Sequence, residues 1–300
     1  VAWYAQAEYN YLQRYYLQAN LTAEASSRFG ADADNSLKAF DAAWGIFPGV
    51  QASWVVSNEP WFAKVKGIDY LRLNVGYDIS GNDDIDYFAA RSYFSAVKFL
   101  DAISGISFEN IGNTRLQWET TKRFNVGFET NLINNRLNLR FNYFNSKTDH
   151  LLTYQALGFL TGIEKNWGNG GSLKNEGFDV TAVGKLVAMK SFQWELGLSV
   201  GHYKNKITSL ADDATYFDSS VYGATIRTEV GKPANMFYGY VTDGVFSTSE
   251  EAAAAALYVL GDNGVDKNYF GAGDMRFVDL NGDHKIDEHD RTFIGDPNPD

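Results

Sequence analysis

The sequence predicts an all-β fold, and more specifically part of a transmembrane antiparallel β-barrel. Apolar and polar residues alternate with a period of two, the alternating runs are about ten residues long, and short connections between them alternate with long ones. A period of two places one face of each strand against an apolar environment and the other against water. Strands of about 9–11 residues are needed to cross a bilayer, whereas strands of globular proteins average about five to six.

The clearest alternation lies at residues 124–132 and 137–146. Each segment presents large apolar side chains on one face and Asn, Glu or Arg on the other. Between them stand Asn134 and Asn135, a residue type that tolerates the positive φ of tight turns. We therefore expect two long strands joined by a two-residue hairpin.

Six further segments repeat this pattern and bring the predicted strands to eight. They are residues 2–12, 15–25, 45–57, 68–80, 175–188 and 192–208. Charged residues such as Glu8, Arg72 and Arg140 lie on the polar faces. A Lys or Arg on the lipid-facing side costs about 2–4 kcal/mol at mid-bilayer, which explains such segregation. A soluble β-sandwich also segregates its residues, because its inner face is dry, so the alternation alone leaves both architectures open.

The lengths of the connections favour the barrel. Short connections fall at Gln13-Arg14, 133–135 and 189–191, with a longer one at 58–67, and long connections fall at 26–44, 81–120, 149–174 and 209–300. Outer-membrane barrels have short periplasmic turns and longer extracellular loops, whereas a Greek-key sandwich has no reason to follow this rule. Aromatic residues beside the short turns favour a membrane-interface girdle over ordinary β-propensity.

Composition excludes several classes of function. The chain has 300 residues, no cysteine and a net charge of −11, which excludes disulfides and thiolate metal sites and argues against nucleic-acid binding. No run of 18 apolar residues predicts a transmembrane helix. The chain starts within a strand pattern without a signal peptide, so we expect it to be part of a longer protein.

One acidic segment, residues 279–290, has the spacing of a calcium-binding loop. Its candidate ligands are the side chains of Asp279, Asn281, Asp283, Asp287 and Asp290 and the main-chain carbonyl of Lys285. Calcium takes six to eight oxygen ligands, and the spacing resembles that of an EF-hand, with Ile286 at the apolar eighth position. His284 replaces the usual glycine and Asp290 the usual glutamate. We predict a structural Ca²⁺, with Mg²⁺ as the alternative ion and a solvated acidic turn as the alternative structure. Residues 250–260, which include an alanine run, predict a short helix nearby.

No motif in the chain indicates catalysis or cofactor binding. The acidic residues of the loops lack the fixed separation of a glycosidase acid pair. Residues 168–171 are rich in glycine but lack the Lys-Ser/Thr of a phosphate-binding loop. We therefore predict that the protein is not an enzyme.

An ordered set of short motifs resembles the C-terminal part of SusC/RagA-type TonB-dependent outer-membrane transporters of Bacteroidetes. The motifs are Ser26–Gly30, Phe47-Pro48 with Trp54, Leu116–Thr120, Asn134–Leu137, Lys174–Phe178, Phe237–Tyr240, Asp243–Phe246, Gly273-Asp274, Asp279–Asp290, Arg291–Gly295 and Pro297–Pro299. Each motif is weak alone, but together they follow the order of the family and cover nearly the whole chain.

This resemblance implies an architecture and a function. Residues 1–300 would belong to one barrel domain of about 22 strands, with 209–300 as a long extracellular loop segment and with the N-terminal plug and the closing strands lying outside this chain. The protein would lie in the outer membrane of a Gram-negative cell, and TonB would drive the import of an oligosaccharide or a peptide. A SusD-like surface lipoprotein would close the barrel. We place Trp167, Tyr238 and Tyr240 near the surface that meets the substrate or this lid.

Two other functions stay open at this point. A passive porin-like channel of the same architecture would lack a plug and would not need TonB. A soluble calcium-binding adhesion or lectin module would have strands of about six residues in two packed sheets, with the apolar faces buried between them.

Overall fold

A computed structural model describes residues 1–34, 36–40, 42–99, 103–156 and 165–298. The chain forms two compact units, Val1–Ala214 and Thr215–Asp300. Both are built mainly of β-strands, which confirms the all-β prediction. Among the described residues, no helix has the length and apolar composition needed to span a bilayer.

The first unit contains thirteen strands within its described residues. They are β1 Ala2–Tyr11, β2 Tyr15–Ala25, β3 Leu37–Ala39, β4 Ala42–Val55, β5 Ile68–Asn82, β6 Tyr93–Phe99, β7 Ile103–Asn110, β8 Glu119–Leu132, β9 Leu137–Asp149, β10 Leu152–Ala156, β11 Lys165–Asn169, β12 Ser172–Ala188 and β13 Gln193–Ser209. Short 3₁₀ turns lie at Val56–Asn58, Phe62–Lys64 and Ala211–Asp213. The eight predicted strands correspond to β1, β2, β4, β5, β8, β9, β12 and β13.

These eight strands form one antiparallel sheet in the order β1-β2-β4-β5-β8-β9-β12-β13, with β3 paired to β4. The strand order therefore follows the chain order, as in an up-and-down barrel. The predicted long connections contain hairpins of their own: β6 pairs with β7, and β10 pairs with β11. The sequence analysis missed these shorter strands.

The apolar residues of the sheet form a belt on one of its faces. Register places Leu73 opposite Phe128 and Phe128 opposite Phe141. Val180 lies opposite both Phe141 and Val200. The exposed members of this apolar belt are Leu17, Leu21, Val50, Leu73, Val75, Phe124, Val126, Phe128, Phe178, Leu196, Leu198 and Val200. A soluble sandwich would bury this face, so its exposure favours a membrane barrel.

The connection between β8 and β9 differs from the prediction. Leu132 pairs with Leu137, so the loop has four residues, 133–136, rather than two. Ile133, Asn134 and Asn135 all adopt left-handed φ values of 56–58°. Arg136 N then donates to the carbonyls of Leu132 and Ile133. The turn is therefore wider than the two-residue turn predicted from Asn134 and Asn135.

Aromatic side chains cluster beside two of the short connections. Tyr15 stacks on Trp54 with ring centroids 6.2 Å apart. The Tyr15 hydroxyl and Trp54 Nε1 both donate to Glu59 Oε1, over 2.7 and 3.1 Å. These hydrogen bonds, with that of Tyr15 the larger contribution, hold the pKa of Glu59 below its ordinary value although desolvation opposes them. Tyr and Trp side chains whose hydroxyl or indole N–H group is hydrogen-bonded are typical of a membrane interface.

The second unit contains eight strands and one α-helix within its described residues. They are β14 Tyr216–Val221, β15 Ala224–Glu229, β16 Met236–Tyr240, β17 Thr242–Val245, α1 Ser249–Ala255, β18 Tyr258–Leu260, β19 Lys267–Tyr269, β20 Met275–Phe277 and β21 Arg291–Gly295, and a 3₁₀ turn spans Glu288–Asp290. One sheet has the order β14-β15-β16-β21, and two hairpin-like pairs are β17-β20 and β18-β19.

The predicted helix over 250–260 is correct at its start and wrong at its end. Thr248 caps α1 by accepting from Glu251 N over 3.2 Å. The helix ends at Ala255, because Ala256 adopts a left-handed φ of 54°. Residues 258–260 then form β18, whose β-branched and aromatic side chains suit a strand.

Candidate functional site

The polar face of the large sheet pairs its charges across neighbouring strands. Arg140 donates from Nε and Nη2 to Glu129 Oε1 over 3.2 and 3.1 Å. Asn142 Nδ2 donates to Asp179 Oδ1 over 3.1 Å. This face is therefore hydrophilic, and its charged side chains bond to one another, which suits a surface that lines an aqueous lumen.

Glycines on this face make room for asparagine side chains. A Cβ on Gly49 would lie 2.5 Å from Asn20 Oδ1, and one on Gly76 would lie 2.3 Å from Asn125 Oδ1. A Cβ at either place would push the amide out of its position, so glycine leaves room for each asparagine side chain beside the neighbouring strand.

At the long-loop end of the first unit, several predicted motifs form one buried cluster. We call it the loop core, and its members are Phe29, Phe47, Ile85, Ala89, Ala90, Leu116 and Trp118. Leu116 and Trp118 expose 0% and 1% of their surface. The Trp118 ring lies 4.2 Å from that of Phe29. The loop core therefore holds four separate segments of the chain together, at Phe29, Phe47, 85–90 and 116–118.

The motif Ser26–Gly30 is explained by contacts around this core. Gly30 N donates to the carbonyl of Leu116 over 2.8 Å. A Cβ on Gly30 would lie 1.9 Å from the carbonyl oxygen of Thr114, so only glycine allows this approach. Arg28 bonds Asp83 Oδ2 through Nη1 over 2.7 Å and therefore ties the same motif to a second loop.

Trp167, predicted to lie near the substrate or lid surface, is a half-buried residue of β11. Its Nε1 donates to Asp86 Oδ2 over 3.1 Å, and its side chain packs against the loop core. Asn113 Nδ2 donates to the Trp167 carbonyl over 3.4 Å. Trp167 thus links two long loops, and contact with substrate stays a prediction.

A cavity of about 860 Å³ adjoins the loop core. Its lining residues include Phe29, several alanines and serines, and the cationic residues Lys38 and Arg91. A space of this size at the long-loop end can hold several sugar rings or amino-acid residues.

In the second unit, Tyr238 takes part in a stack of rings and guanidinium groups. Arg227 Cζ lies 3.6 Å from the Tyr238 ring centroid and 4.0 Å from that of Tyr216. Arg227 also bonds Asp218 through two nitrogens, over 2.7 and 2.8 Å, and these bonds hold the pKa of Asp218 below its ordinary value. Tyr240 packs on Phe277, with ring centroids 5.6 Å apart. The sequence analysis singled out the two tyrosines but missed Arg227.

Replacing Arg227 with lysine is expected to destabilise the second unit by about 1–3 kcal/mol, because an ammonium group cannot form the two-point bond to Asp218 or spread over two rings. The measurement is the rate of chymotrypsin cleavage within 215–298 of the folded full-length protein. Arg115→Lys, at an exposed arginine, is the control. Equal cleavage rates for the two variants would contradict the structural role of Arg227.

Backbone hydrogen bonds organise the first half of the predicted calcium loop around Asp279. Its Oδ1 accepts from Gly282 N and its Oδ2 from His284 N, both over 2.7 Å. Burial raises the pKa of Asp279, but the backbone hydrogen bonds outweigh it and lower that pKa overall. His284 adopts a φ of 62°, so the backbone takes the left-handed form although glycine is absent.

The second half of the loop closes on Asp290, which is fully buried. Its two oxygens accept from Leu280 N and Asp287 N, each over 2.9 Å. Lys285 Nζ lies 2.6 Å from Asp287 Oδ2. Ile286 is buried with Phe246, Ala252 and Leu257, as expected for the apolar eighth position.

The donor types of this loop suit calcium, but its geometry does not form a complete ligand set. Among the described residues, no group of three or more His, Cys, Asp or Glu side chains converges closely enough to hold a metal ion. The oxygens of Asp290 face main-chain N–H groups rather than a common centre. Cation binding by Asp279, Asn281, Asp283, Lys285, Asp287 and Asp290 stays a prediction.

Comparison with known proteins places these features in context. The TonB dependent receptor-like β-barrel family profile matches residues 1–292. A TonB-dependent receptor of Formosa agariphila is 29% identical over 97% of this chain and 29% of its own length. The TonB-dependent receptor SusC of Bacteroides thetaiotaomicron is 26% identical over 99% of this chain and 28% of its own. The RagAB peptide importer in its closed-closed state superposes with a TM-score of 0.76 at 20% identity, over 98% of this chain and 30% of that chain.

Proposed function

Because the chain belongs to the TonB dependent receptor-like β-barrel family, we propose that it forms part of the wall and outer loops of a TonB-driven importer. Membership confirms the predicted resemblance, the barrel fold class and the outer-membrane location. It also agrees with the prediction that the protein is not an enzyme, since the family consists of transporters.

The observation that supports import best is the opposite character of the two faces of the large sheet. The apolar belt is exposed on one face, whereas the other face carries cross-strand charge pairs. A wall between lipid and an aqueous lumen requires this division. The cavity of about 860 Å³ beside the loop core provides space for an oligomeric substrate at the long-loop end.

For the substrate we propose an oligosaccharide or a peptide, and for the partners TonB and a SusD-like surface lipoprotein. Polar side chains paired by hydrogen bonds and exposed rings suit both substrate classes. Loops at 81–120, 149–174 and 209–300 are the parts of the chain that we expect to meet the substrate and the lid, with Trp167, Tyr238 and Tyr240 among the contacts.

The test is uptake of labelled oligosaccharides and labelled peptides by cells that produce the full-length protein, with and without TonB. We expect uptake of one of the two classes, loss of uptake in cells without TonB, and co-purification of a SusD-like lipoprotein. Uptake that persists without TonB would favour the passive channel and contradict active import. Uptake of neither class would contradict the substrate proposal.

We also propose a structural Ca²⁺ in loop 279–290, with Mg²⁺ as the alternative, on the basis of the spacing of its oxygen side chains. Ion binding would hold the loop in one conformation, and an ion at 100 times its Kd stabilises the bound state by about 2.7 kcal/mol. In the full-length protein, 1 mM Ca²⁺ (about 100-fold above a Kd of 10 µM) is expected to slow chymotrypsin cleavage within 215–298 relative to a chelator.

The double variant Asp279→Ala/Asp283→Ala is expected to lose this calcium effect. The matched control is Asp212→Ala/Asp213→Ala, at two exposed carboxylates outside the loop, which should keep it. Identical cleavage of the unmodified protein in Ca²⁺ and in chelator would contradict the ion site.

A further inference from the structure

Four lysines stand side by side across the large sheet. Register pairs Lys122 of β8 with Lys147 of β9, Lys147 with Lys174 of β12, and Lys174 with Lys206 of β13. Neighbouring strands lie about 4.8 Å apart, so the row spans about 14 Å. We call these four residues the lysine row.

The lysine row lies on the same face as the apolar belt. Lys122 is two residues from Phe124, and Lys174 is four residues from Phe178, so in each strand an even spacing separates the lysine from the belt. The pairing of β8, β9 and β12 has no register shift between these residues. Residues an even number apart in a strand therefore lie on the same face of the sheet. Each lysine therefore points to the lipid side rather than to the lumen.

The row also lies at the long-loop end of the belt, where β8 begins after the connection 111–118 and β9 runs into β10. Strands rise about 3.3 Å per residue, which places Lys122 about 7 Å beyond Phe124 along the strand. Headgroup regions extend about 5–8 Å beyond the hydrocarbon core on each side. The ammonium groups consequently reach the level of the outer headgroups, and lysine side chains extend readily toward that layer.

The charges around the row do not cancel. Lys147 pairs with Asp149 and Lys174 with Glu176, each over 2.8 Å. Lys204, which lies opposite Glu176 in the register of β12 and β13, lies on the same face. Among the described side chains, no carboxylate lies within 4 Å of Lys122 or Lys206.

With Lys204 counted, the surroundings hold five ammonium groups and two carboxylates, a surplus of three positive charges (5 − 2). This surplus occurs in a chain whose net charge is −11. Like charges directly opposite in a sheet are destabilising, and the lumen-facing side avoids them by pairing Arg140 with Glu129. An external anion would relieve the repulsion.

We propose that the lysine row binds the phosphate groups of the phosphorylated glycolipid in the outer leaflet. The row matches this ligand in charge, in its level above the apolar belt and in its length, since one headgroup with two phosphates can engage several ammonium groups at once. Acyl chains of the same lipid would then lie along the apolar belt.

The test uses the folded full-length protein in detergent and purified bisphosphorylated lipid A as the probe, with binding read by native mass spectrometry. We expect the variant Lys122→Gln/Lys147→Gln/Lys174→Gln/Lys206→Gln to bind lipid A about ten-fold more weakly. The matched control changes four exposed lysines elsewhere, Lys64→Gln/Lys66→Gln/Lys98→Gln/Lys190→Gln, and should bind as the unmodified protein does.

Two further measurements make the proposal falsifiable. Dephosphorylated lipid A should bind the unmodified protein about as weakly as lipid A binds the row variant. Equal binding of dephosphorylated lipid A, or of phosphatidylglycerol in place of lipid A, would overturn the assignment to glycolipid phosphate. Should the fourfold variant fail to fold, the single variant Lys122→Gln is compared with Lys98→Gln, and equal lipid A binding by these two would likewise overturn it.

Discussion

Replacing Trp118 with alanine is expected to destabilise the loop core by about 3–5 kcal/mol, the range found when a buried large aromatic side chain is removed. Trp118 exposes 1% of its surface, and its ring contacts Phe29 and approaches Phe47 at 6.4 Å between centroids. Its loss would leave a cavity within the loop core, which joins four segments of the chain. The segments around Phe29 and Ile85 should then separate more readily.

The measurement is proteinase K cleavage at the long-loop end of the full-length protein in intact outer membranes, which we expect to be faster in Trp118→Ala. Trp61→Ala is the matched control, because Trp61 exposes 54% of its surface within the connection 58–67 and lies outside the loop core. The control should leave the cleavage pattern unchanged. If both variants resist protease equally, the loop core does not hold these loops together.

Replacing Leu198 with arginine is expected to reduce assembly of the protein in the outer membrane, because a cation on the lipid side costs about 2–4 kcal/mol at mid-bilayer. Leu198 lies in the apolar belt and exposes 64% of its surface. It pairs with Ala182 near the middle of β13, far from the headgroup level at which the lysine row lies. The arginine side chain would therefore have to extend a long way to reach water.

Ser199→Arg provides a matched control one residue away in the same strand. Ser199 lies on the polar face and exchanges a 3.0 Å hydrogen bond with Thr181, so an arginine there meets water. The fraction of protein that migrates as a folded, heat-modifiable band measures assembly. Comparable folded fractions for the two arginine variants would contradict the assignment of the faces to lipid and lumen.

The strands of the large sheet could be predicted from the sequence because two signals agree there, alternation with a period of two and short connections that alternate with long ones. Alternation with a period of two identified β8 and β9, and the spacing of their apolar residues indicated which face meets lipid. The turn between them was predicted too narrow, since Ile133 was not expected at a left-handed φ of 56°. β-Branched residues rarely adopt that conformation, so no local pattern could reveal it.

The loops were less predictable because their structure depends on contacts distant in sequence. The alanine run favours a helix throughout 250–260, yet residues 258–260 pair as a strand with 267–269, and Tyr258 N donates to the carbonyl of His284 over 3.0 Å. Trp118 appeared only as part of a motif, and its burial follows from its meeting Phe29 and Phe47. The partner of Arg227, Asp218, lies on the neighbouring strand β14, and short strands gave no alternation from which to infer that pairing.

Strands β16 and β21 pair directly at their inner ends, where Tyr240 lies opposite Arg291. The segment between them, residues 241–290, includes α1 and the acidic loop. It leaves the sheet at Tyr240 and returns at Arg291, and the Cα atoms of two paired residues lie about 5 Å apart. Such an excursion can be shortened, extended or exchanged between relatives without a change in the spacing of its two anchor residues. Natural variation, and grafted epitopes or reporter domains, should consequently be tolerated best at exposed positions between residues 241 and 290, such as 262–266.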